Sequence, residues 1–577
     1  MKRYWQLLKK HKLSLIISPL LVFIFVICET TQPWLMAQIV DEGVMPKDIS
    51  VITRTGGYMI LVAIISLAAS IINVYISSRT SISFGTDLRT SLFEKIQQLS
   101  FSDIDRFSSA SLITRLTNDI SRIQQVILMT MRIFLRSPMM LVMALFYVVR
   151  INAGLALVLL IAIPILAVSV YIILKKGFPL FIKVQQKIDN LNAVVRENLI
   201  NIRVVKSFVR EDFEAEKFSE KSEDLRDTVI RASNIVVSVF PLMQLVMNMS
   251  VIAILWVGGN KIITGELKVG ELISFVNYLM QILMSLMIMS MVIMTVARAT
   301  ASSQRILEVL DTEPSLKNTK EGLISKYKIE KGEVTFQHVY FRHYGGETDV
   351  LRDINFHVSQ GESIAVVGAT GSAKSTMVQL IPRLYDATAG EILIDGRNVK
   401  DYNLNEIHDK IGMVLQKNEL FTGTIADNLR WGKPDATQEE LEEATKAAQA
   451  HDFITSFTDG YETQLGRGGI NLSGGQKQRI CIARALLRKP KILILDDSTS
   501  AVDSSTEQLI RKNLGELLHQ TTVFIITQRI NTMQSADRVI VLEDGEINAI
   551  GRPSELIEKS EVYREIYNSQ LSVLSDN

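Results

Sequence analysis

Cysteine is almost missing from this chain: two residues in 577, Cys28 inside an apolar run and Cys481 far downstream. That spacing excludes a disulfide framework and a cysteine-ligated metal centre, and both thiols read as buried and reduced. Net charge is nearly missing too. Sixty-two Lys and Arg against 61 Asp and Glu leave +1, so no nucleic-acid partner is implied. Glycine and proline are scarce in two stretches, Ser77 to Gln125 and Phe181 to Arg231. Both stretches have helical periodicity, which excludes ordinary loops there. No small-residue cleavage site follows the first apolar run, Leu13 to Trp34, which is also too long for a signal peptide and reads as a retained membrane helix.

Hydrophobic residues, by contrast, make up 47% of the chain, and they are unevenly placed. Up to about residue 300, long apolar runs alternate with basic segments; beyond about 330 the composition is that of an ordinary soluble α/β domain. A chain this long exceeds one domain. The expected division is a membrane domain at 1–315, a linker at 316–332 and an α/β domain at 333–577.

Six segments reach the roughly 20 apolar residues a bilayer span needs: 14–37, 57–78, 127–149, 154–175, 235–258 and 272–296. Lys and Arg gather at the N-terminus (Lys2, Arg3, Lys9, Lys10, Lys12) and in the segments after spans 2 and 4. By the positive-inside rule these parts, and the C-terminal half, are cytoplasmic. The chain is thus expected in the cell membrane, multi-pass. The two long segments look like membrane helices continuing into the cytoplasm, each pair turning at a knob that can dock on a soluble domain. Glu29, Gln32, Asn73, Arg132, Arg136, Gln244, Asn248, Asn277 and Gln281 fall within the spans. Charges there are costly and face either a pathway or a partner group.

The second half carries the chemistry. Ile364 to Val367 reads as a strand, followed by Gly368-Ala369-Thr370-Gly371-Ser372-Ala373-Lys374-Ser375-Thr376 and a helical stretch. This is a P-loop: backbone N–H groups cradle phosphates, Lys374 neutralises phosphate oxygens and Ser375 binds Mg²⁺. The pattern wants glycine just before the lysine. A Cβ at Ala373 is unfavourable if that position needs positive φ or close phosphate approach. Further on, the apolar run Ile492 to Leu495 ends in Asp496 and Asp497, the way a buried parallel strand delivers a Mg²⁺-binding carboxylate. The second acid of a hydrolysing site would be glutamate; Asp497 is one methylene short. Leu472-Ser473-Gly474-Gly475-Gln476 before a helix makes a second anion site.

With that signature the chain resembles the ATP-binding cassette (ABC) transporters along essentially its whole length. Gln416 matches the Q-loop, Leu472–Gln476 the signature, Asp496 the Walker B acid and Ser500-Ala501-Val502-Asp503 the D-loop. The resemblance adds Gln416 to Ser375 and Asp496 as Mg²⁺ ligands and Asp503 to the nucleotide contacts. It places the adenine-stacking aromatic at His343 or Tyr344, and coupling regions at Arg106–Asp119 and Glu197–Phe208. The membrane half is similar to the type IV exporters, so the fold class is a polytopic α-helical membrane domain fused to an α/β P-loop domain.

In that family Asp497 stands where the catalytic glutamate would be and Gln528 where the switch histidine would be. This pairing of losses looks like the degenerate half of a heterodimeric exporter. The resemblance implies Mg-ATP as cofactor and two cassettes meeting head-to-tail, each ATP between one chain's P-loop and the other's signature. This chain's signature is intact, whereas its own P-loop site is weakened at Ala373, Asp497 and Gln528. A homologous half with a competent site is therefore the expected partner, alongside membrane lipid and a small amphipathic substrate. The alternatives are a homodimeric exporter or lipid translocase with slow ATPase, and an ATP-gated, channel-like protein.

Overall fold

The computed structural model describes residues 2–318, 327–498, 502–517 and 520–575. They divide into two compact units: Met1–Ile96 with Ile113–Asp311, and Gln97–Leu112 with Thr312–Asn577. The first coupling region is thus shared out, its leading part clustering with the soluble domain. Residues 319–326 of the expected linker lie outside the described residues.

The first unit is helical. Its main helices are α1 (Lys12–Gln38), α2 (Ile49–Gln97), α3 (Arg136–Ile151), α4 (Ala153–Ile200), α5 (Glu211–Val237), α6 (Val239–Ile263) and α7 (Val269–Asp311). Five described helical stretches are long and apolar enough to cross a membrane: Tyr4–Val44, Ile49–Gln97, Ser109–Ile151, Pro241–Ile263 and Val269–Met289. The sixth expected span, 154–175, occupies the first half of α4, where Ala153–Ile165 is apolar and many side chains lie outside the description.

Length decides what these helices do. At about 1.5 Å per residue α2 is about 74 Å long, more than twice the roughly 30 Å hydrocarbon core. It and the similarly long α4 and α7 must therefore run well beyond the bilayer. The polar helix α5 lies along α4, with Lys187–Asp224 and Lys217–Glu197 ion pairs between them. Apolar packing joins α3, α4, α6 and α7 through Ala144, Leu155, Leu159, Ile254, Phe275 and Leu279. At the other end of α7, Asp119 is buried and satisfied: Arg305 Nε donates to it at 2.8 Å and Ser302 Oγ at 2.8 Å.

The second unit is built on two main sheets. Its strands are β1 (Val334–Phe341), β2 (Leu351–Val358), β3 (Ser363–Gly368), β4 (Ala389–Ile394), β5 (Arg397–Asn398), β6 (Ile411–Val414), β7 (Gly423–Thr424), β8 (Gln464–Leu465), β9 (Ile492–Asp496), β10 (Thr522–Ile526), β11 (Arg538–Glu543) and β12 (Glu546–Gly551). One sheet has the order β12-β11-β3-β10-β9-β6, parallel except for β12. The other, β2-β1-β4-β5, is antiparallel. Every residue of β9 is buried, as its unbroken apolar sequence requires for a strand covered on both faces. A separate helical cluster around Ile425, Leu429, Leu441, Ile480 and Ile482 packs behind β9 and β6.

The segment Gln97–Leu112 joins this unit through a capped helix, Phe101–Phe107. Ser100 and Asp103 form its capping box. Asp103 also accepts the Ser315 N–H, and Asp105 accepts the Tyr385 hydroxyl at 2.8 Å.

Candidate nucleotide site

Three neighbouring parallel strands end side by side. Register pairs Ile526 of β10 with Val366 of β3 and with Asp496 of β9. The residues after these ends are the P-loop, Asp497 and Thr527-Gln528. Ligands of open α/β sheets bind outside such carboxyl ends. A cavity of about 660 Å³ opens there, lined by Thr370, Gly371, Ala373, Lys374, Ser375, Thr376, Gln416, Asp496, Asp497 and Gln528, with Val350, Ile526, Thr527, Arg529 and Gln570.

The P-loop is held by backbone contacts that leave little choice of residue at Gly368. Its φ is +153°, and a Cβ there would lie 2.2 Å from Leu542 O and 2.6 Å from Ser372 Oγ. Ala373 sits at φ +69°, ψ 23°, left-handed backbone that glycine adopts without cost. Met377 N–H bonds its carbonyl at 3.0 Å, opening helix α8 (Lys374–Gln379). Lys374 Nζ donates to Gly368 O at 3.0 Å and Ala369 O at 2.7 Å. Burial pulls the ammonium below the usual lysine range, opposed by the charges of Asp496 and Asp497.

Ser375 Oγ donates to Asp496 Oδ1 at 2.8 Å. Burial raises the Asp496 carboxyl above the usual range, and the Asp497 charge adds to this. A hydroxyl and a carboxylate side by side are hard oxygen donors of the kind Mg²⁺ takes. With the lysine and the turning loop beside them, the residues fit a Mg-nucleotide phosphate chain. When bound, Mg²⁺ would neutralise charge on the phosphate oxygens; Ser375 and Asp496 would hold it.

Asp497 also has left-handed backbone, φ +47°. Aspartate tolerates that region better than most residues. Burial raises its carboxyl, while the Gln416 side chain hydrogen-bonds it and Arg529 opposes the rise. Gln416 and Asp497 are thus brought into contact. Gln528 is exposed at the cavity wall. Arg529 is fixed from behind by the buried Glu507.

The other candidates lie elsewhere in the unit. His343 meets Phe341 and Tyr385 edge-on, at 4.8 and 5.6 Å between ring centroids. Tyr344 lies under the Arg106 guanidinium, 5.3 Å away. Neither is among the residues lining the cavity. Ser473, Gly474, Gly475 and Gln476 do not line it either. They start helix α9 (Gly474–Leu486), where Ser473 Oγ accepts from Gln476 N–H at 3.3 Å and Gln476 Oε1 from Ser473 N–H at 2.9 Å. That capping box leaves the Ser473 hydroxyl proton available to a ligand. Asp503 caps the helix Ser504–Leu517: it accepts from Ser505 Oγ at 2.5 Å and Thr506 N–H at 2.8 Å, bonds that hold its carboxyl far below the usual range. Ser500 and Ala501 of the expected D-loop lie outside the described residues.

Sequence reasoning passed over Val350, Thr527, Arg529 and Gln570. Thr527 and Arg529 flank Gln528, a signal available in the sequence. Val350, just ahead of β2, and Gln570, on the C-terminal helix Glu561–Ser575, carry none; only the fold brings them to the cavity.

A membrane-helix domain and a P-loop cassette with a separate signature helix define an ATP-driven membrane transporter. The chain matches the family description "ABC transporter transmembrane region" over residues 15–286 and "ABC transporter" over residues 351–500. It is 40% identical over 570 residues to the uncharacterized ABC transporter ATP-binding protein YfiB of Bacillus subtilis (strain 168), covering 99% of this chain and 98% of that one. It is 32% identical to a putative multidrug export ATP-binding/permease protein of the same organism, covering 99% of each chain. It is also 32% identical to the ATP-dependent lipid A-core flippase of Desulfotalea psychrophila, again covering 99% of each. A bacterial Atm1-family ABC exporter solved with ATP bound superposes with a TM-score of 0.79, 23% identity and 98% of both chains covered, a likeness of fold. The chain belongs to the ABC transporter family, as an exporter-type member with fused membrane and ATP-binding domains.

Proposed function

We propose that this chain is the degenerate-site half of a heterodimeric ABC exporter. It binds Mg-ATP at its own P-loop, hydrolyses it weakly, and lends Ser473 and Gly475 to the nucleotide held by a competent partner half. The observation that carries the reading is the division of labour around the cavity. Lys374, Ser375 and Asp496, which hold phosphate and metal, converge there. The two positions that would activate water and sense the γ-phosphate carry the short Asp497, tied to Gln416, and the proton-inert amide Gln528.

The signature supports the pairing. It starts a capped helix outside its own chain's cavity, available to a second chain. The tip between α4 and α5 supports it too: Leu199, Ile200, Val204, Phe208 and Val209 are all exposed, an apolar surface of the sort that meets another protein. ATP binding closes the two cassettes and turns the membrane cavity outward; hydrolysis at the partner's site resets it. The N-terminus and cassette are cytoplasmic, following the placement of Lys and Arg. The substrates are amphipathic or hydrophobic compounds, in line with the multidrug-export and lipid-flippase names of two relatives.

The test is expression with and without candidate partner halves, followed by nucleotide retention on the purified complex. A second chain of similar size should co-purify in equal amount. With the partner's P-loop lysine removed, one nucleotide per complex should remain bound to this chain at millimolar ATP and be released slowly. Robust turnover by this chain alone, or no retained nucleotide, overturns the reading.

A further inference from the structure

Deep in the first unit three helices bring unlike polar groups together. Glu29 lies about 26 Å along α1 from Lys12, and Gln281 about 18 Å along α7 from Val269, taking about 1.5 Å per residue. Gln281 Nε2 donates to Glu29 O at 3.4 Å, so the two share a level. The Gln281 Oε1 atom is buried and has no hydrogen-bond partner among the described residues. On α3, Arg136 lies with its guanidinium 4.3 Å from the Phe25 ring centre, a cation–π contact. Among the described residues no anion makes an ion pair with Arg136; Glu29 acts on it from further away.

The backbone marks the same place. The turn Thr130–Phe134 just ahead of Arg136 is π-helical, with Leu135 N–H bonding Thr130 O at 3.4 Å. Pro138, two residues on, supplies no N–H to the helix. Such widened turns gather at functional sites.

Arginines within membrane spans are costly and as a rule face a partner group or a pathway. The usual structural explanation is a buried salt bridge, and here Glu29 stops short of forming one. The half-buried guanidinium therefore has aromatic support on one side and, among the described residues, no paired counter-ion. The Gln281 amide oxygen, on the side chain that meets the Glu29 backbone, finds no donor among the described residues.

We infer that Arg136, supported by Phe25, receives the anionic group of an amphiphile, a phosphate or carboxylate on an apolar tail. Gln281 Oε1 accepts a hydrogen bond from a hydroxyl or amine of the same headgroup. Glu29 sets the selectivity by repelling anions that lack such a donor. The inference rests on the exporter reading above and gives the substrate a charge.

The test is equilibrium binding to the purified complex in nanodiscs, which requires no turnover. The probes are a fluorescent alkyl phosphate and an alkyl trimethylammonium of equal tail length. Charge-assisted hydrogen bonds are among the stronger polar contacts. Arg136→Gln should weaken alkyl phosphate binding by about tenfold or more and leave the ammonium probe unchanged. Arg136→Lys should recover part of the loss. Glu29→Gln should tighten binding of the simple alkyl phosphate. Nanodiscs of purely zwitterionic lipid should raise apparent affinity if anionic phospholipid is the natural occupant, and leave it unchanged if a free amphiphile is; either result supports the site.

Equal loss of both probes in Arg136→Gln, or no loss of the phosphate probe, overturns the inference. Failure of both the wild-type and the Glu29→Gln complexes to bind the phosphate probe overturns it as well. Retained stoichiometry with a partner chain and nucleotide binding would leave the exporter reading standing in that case.

Discussion

Replacing Ala373 by glycine measures how much strain the P-loop stores. Ala373 has φ +69°, and the surrounding loop fixes it there. Left-handed backbone costs a residue with a Cβ about 1–2 kcal/mol. Glycine would relieve that cost but would return about 0.4–1 kcal/mol through its greater freedom in the unfolded chain. The difference is a gain of about 0.5–1 kcal/mol. For a domain of this size that is a rise of about 1–4 °C in the unfolding temperature. Where the backbone keeps this conformation with and without nucleotide, the strain is common to the two states. Nucleotide affinity should therefore change by less than about twofold, since a tenfold change needs about 1.4 kcal/mol. Differential scanning calorimetry of the complex, with and without Mg-ATP, reads both quantities. A tenfold gain in affinity with an unchanged unfolding temperature would refute the reasoning, because the left-handed turn would then form only on binding. A fall in unfolding temperature would refute it too, by putting φ on the negative side.

Asp497→Glu with Gln528→His should raise hydrolysis at this site by about 10²-fold or more, the usual scale for a positioned base, measured with the partner's site disabled. Because Asp497 has φ +47°, which suits aspartate better than glutamate, the gain should fall short of a fully competent site; no gain in the double variant would sink the degenerate-site reading. Ser473→Gly should lower ATPase of the complex nearly as much as Ser473→Ala, since glycine caps a helix within a few tenths of a kcal/mol of serine. Full activity in the glycine variant would show that only the cap matters. Asp497→Asn should change total ATPase little; a larger effect there than at Ser473 would exchange the roles of the two sites. Gly368→Ala should cost about 3 kcal/mol or more, an exceptional loss for a single methyl, because its Cβ would overlap Leu542 O at 2.2 Å. An unfolding temperature within 2 °C of wild type, roughly the spread of an ordinary surface change, would contradict that geometry.

Local pattern made much of the chain legible. The P-loop and Asp496 were readable because each follows or ends a short apolar strand, and β3 and β9 contain the expected runs with at most one further residue at either end. The helices that outrun a bilayer span were readable from the scarcity of glycine and proline in the segments that form parts of α2, α4 and α5. Long-range packing was not. His343 and Tyr344 both remained open for adenine, and nothing near them in sequence announces Tyr385 or Arg106, against which they pack. The grouping of Gln97–Leu112 with the soluble unit depends on Asp103 and Asp105 meeting Ser315 and Tyr385, more than 200 residues away. Backbone sign was illegible as well. Asp497 reads as one methylene short of a glutamate, and only its φ shows that the chain turns left-handed there.

The apolar tip between α4 and α5 has a consequence for the life of the newly made chain. Phe208 and Val209 are 72% and 80% exposed, and Val209, a β-branched residue, has φ +49°. A strained, greasy turn at the end of a projecting helical pair is what chaperones and proteases recognise on an orphan subunit. On the pairing proposed above, copies made in excess of the mate would present that turn continuously, while paired copies would hide it. The cellular level of this chain should therefore follow the supply of its mate, with surplus copies cleared by degradation.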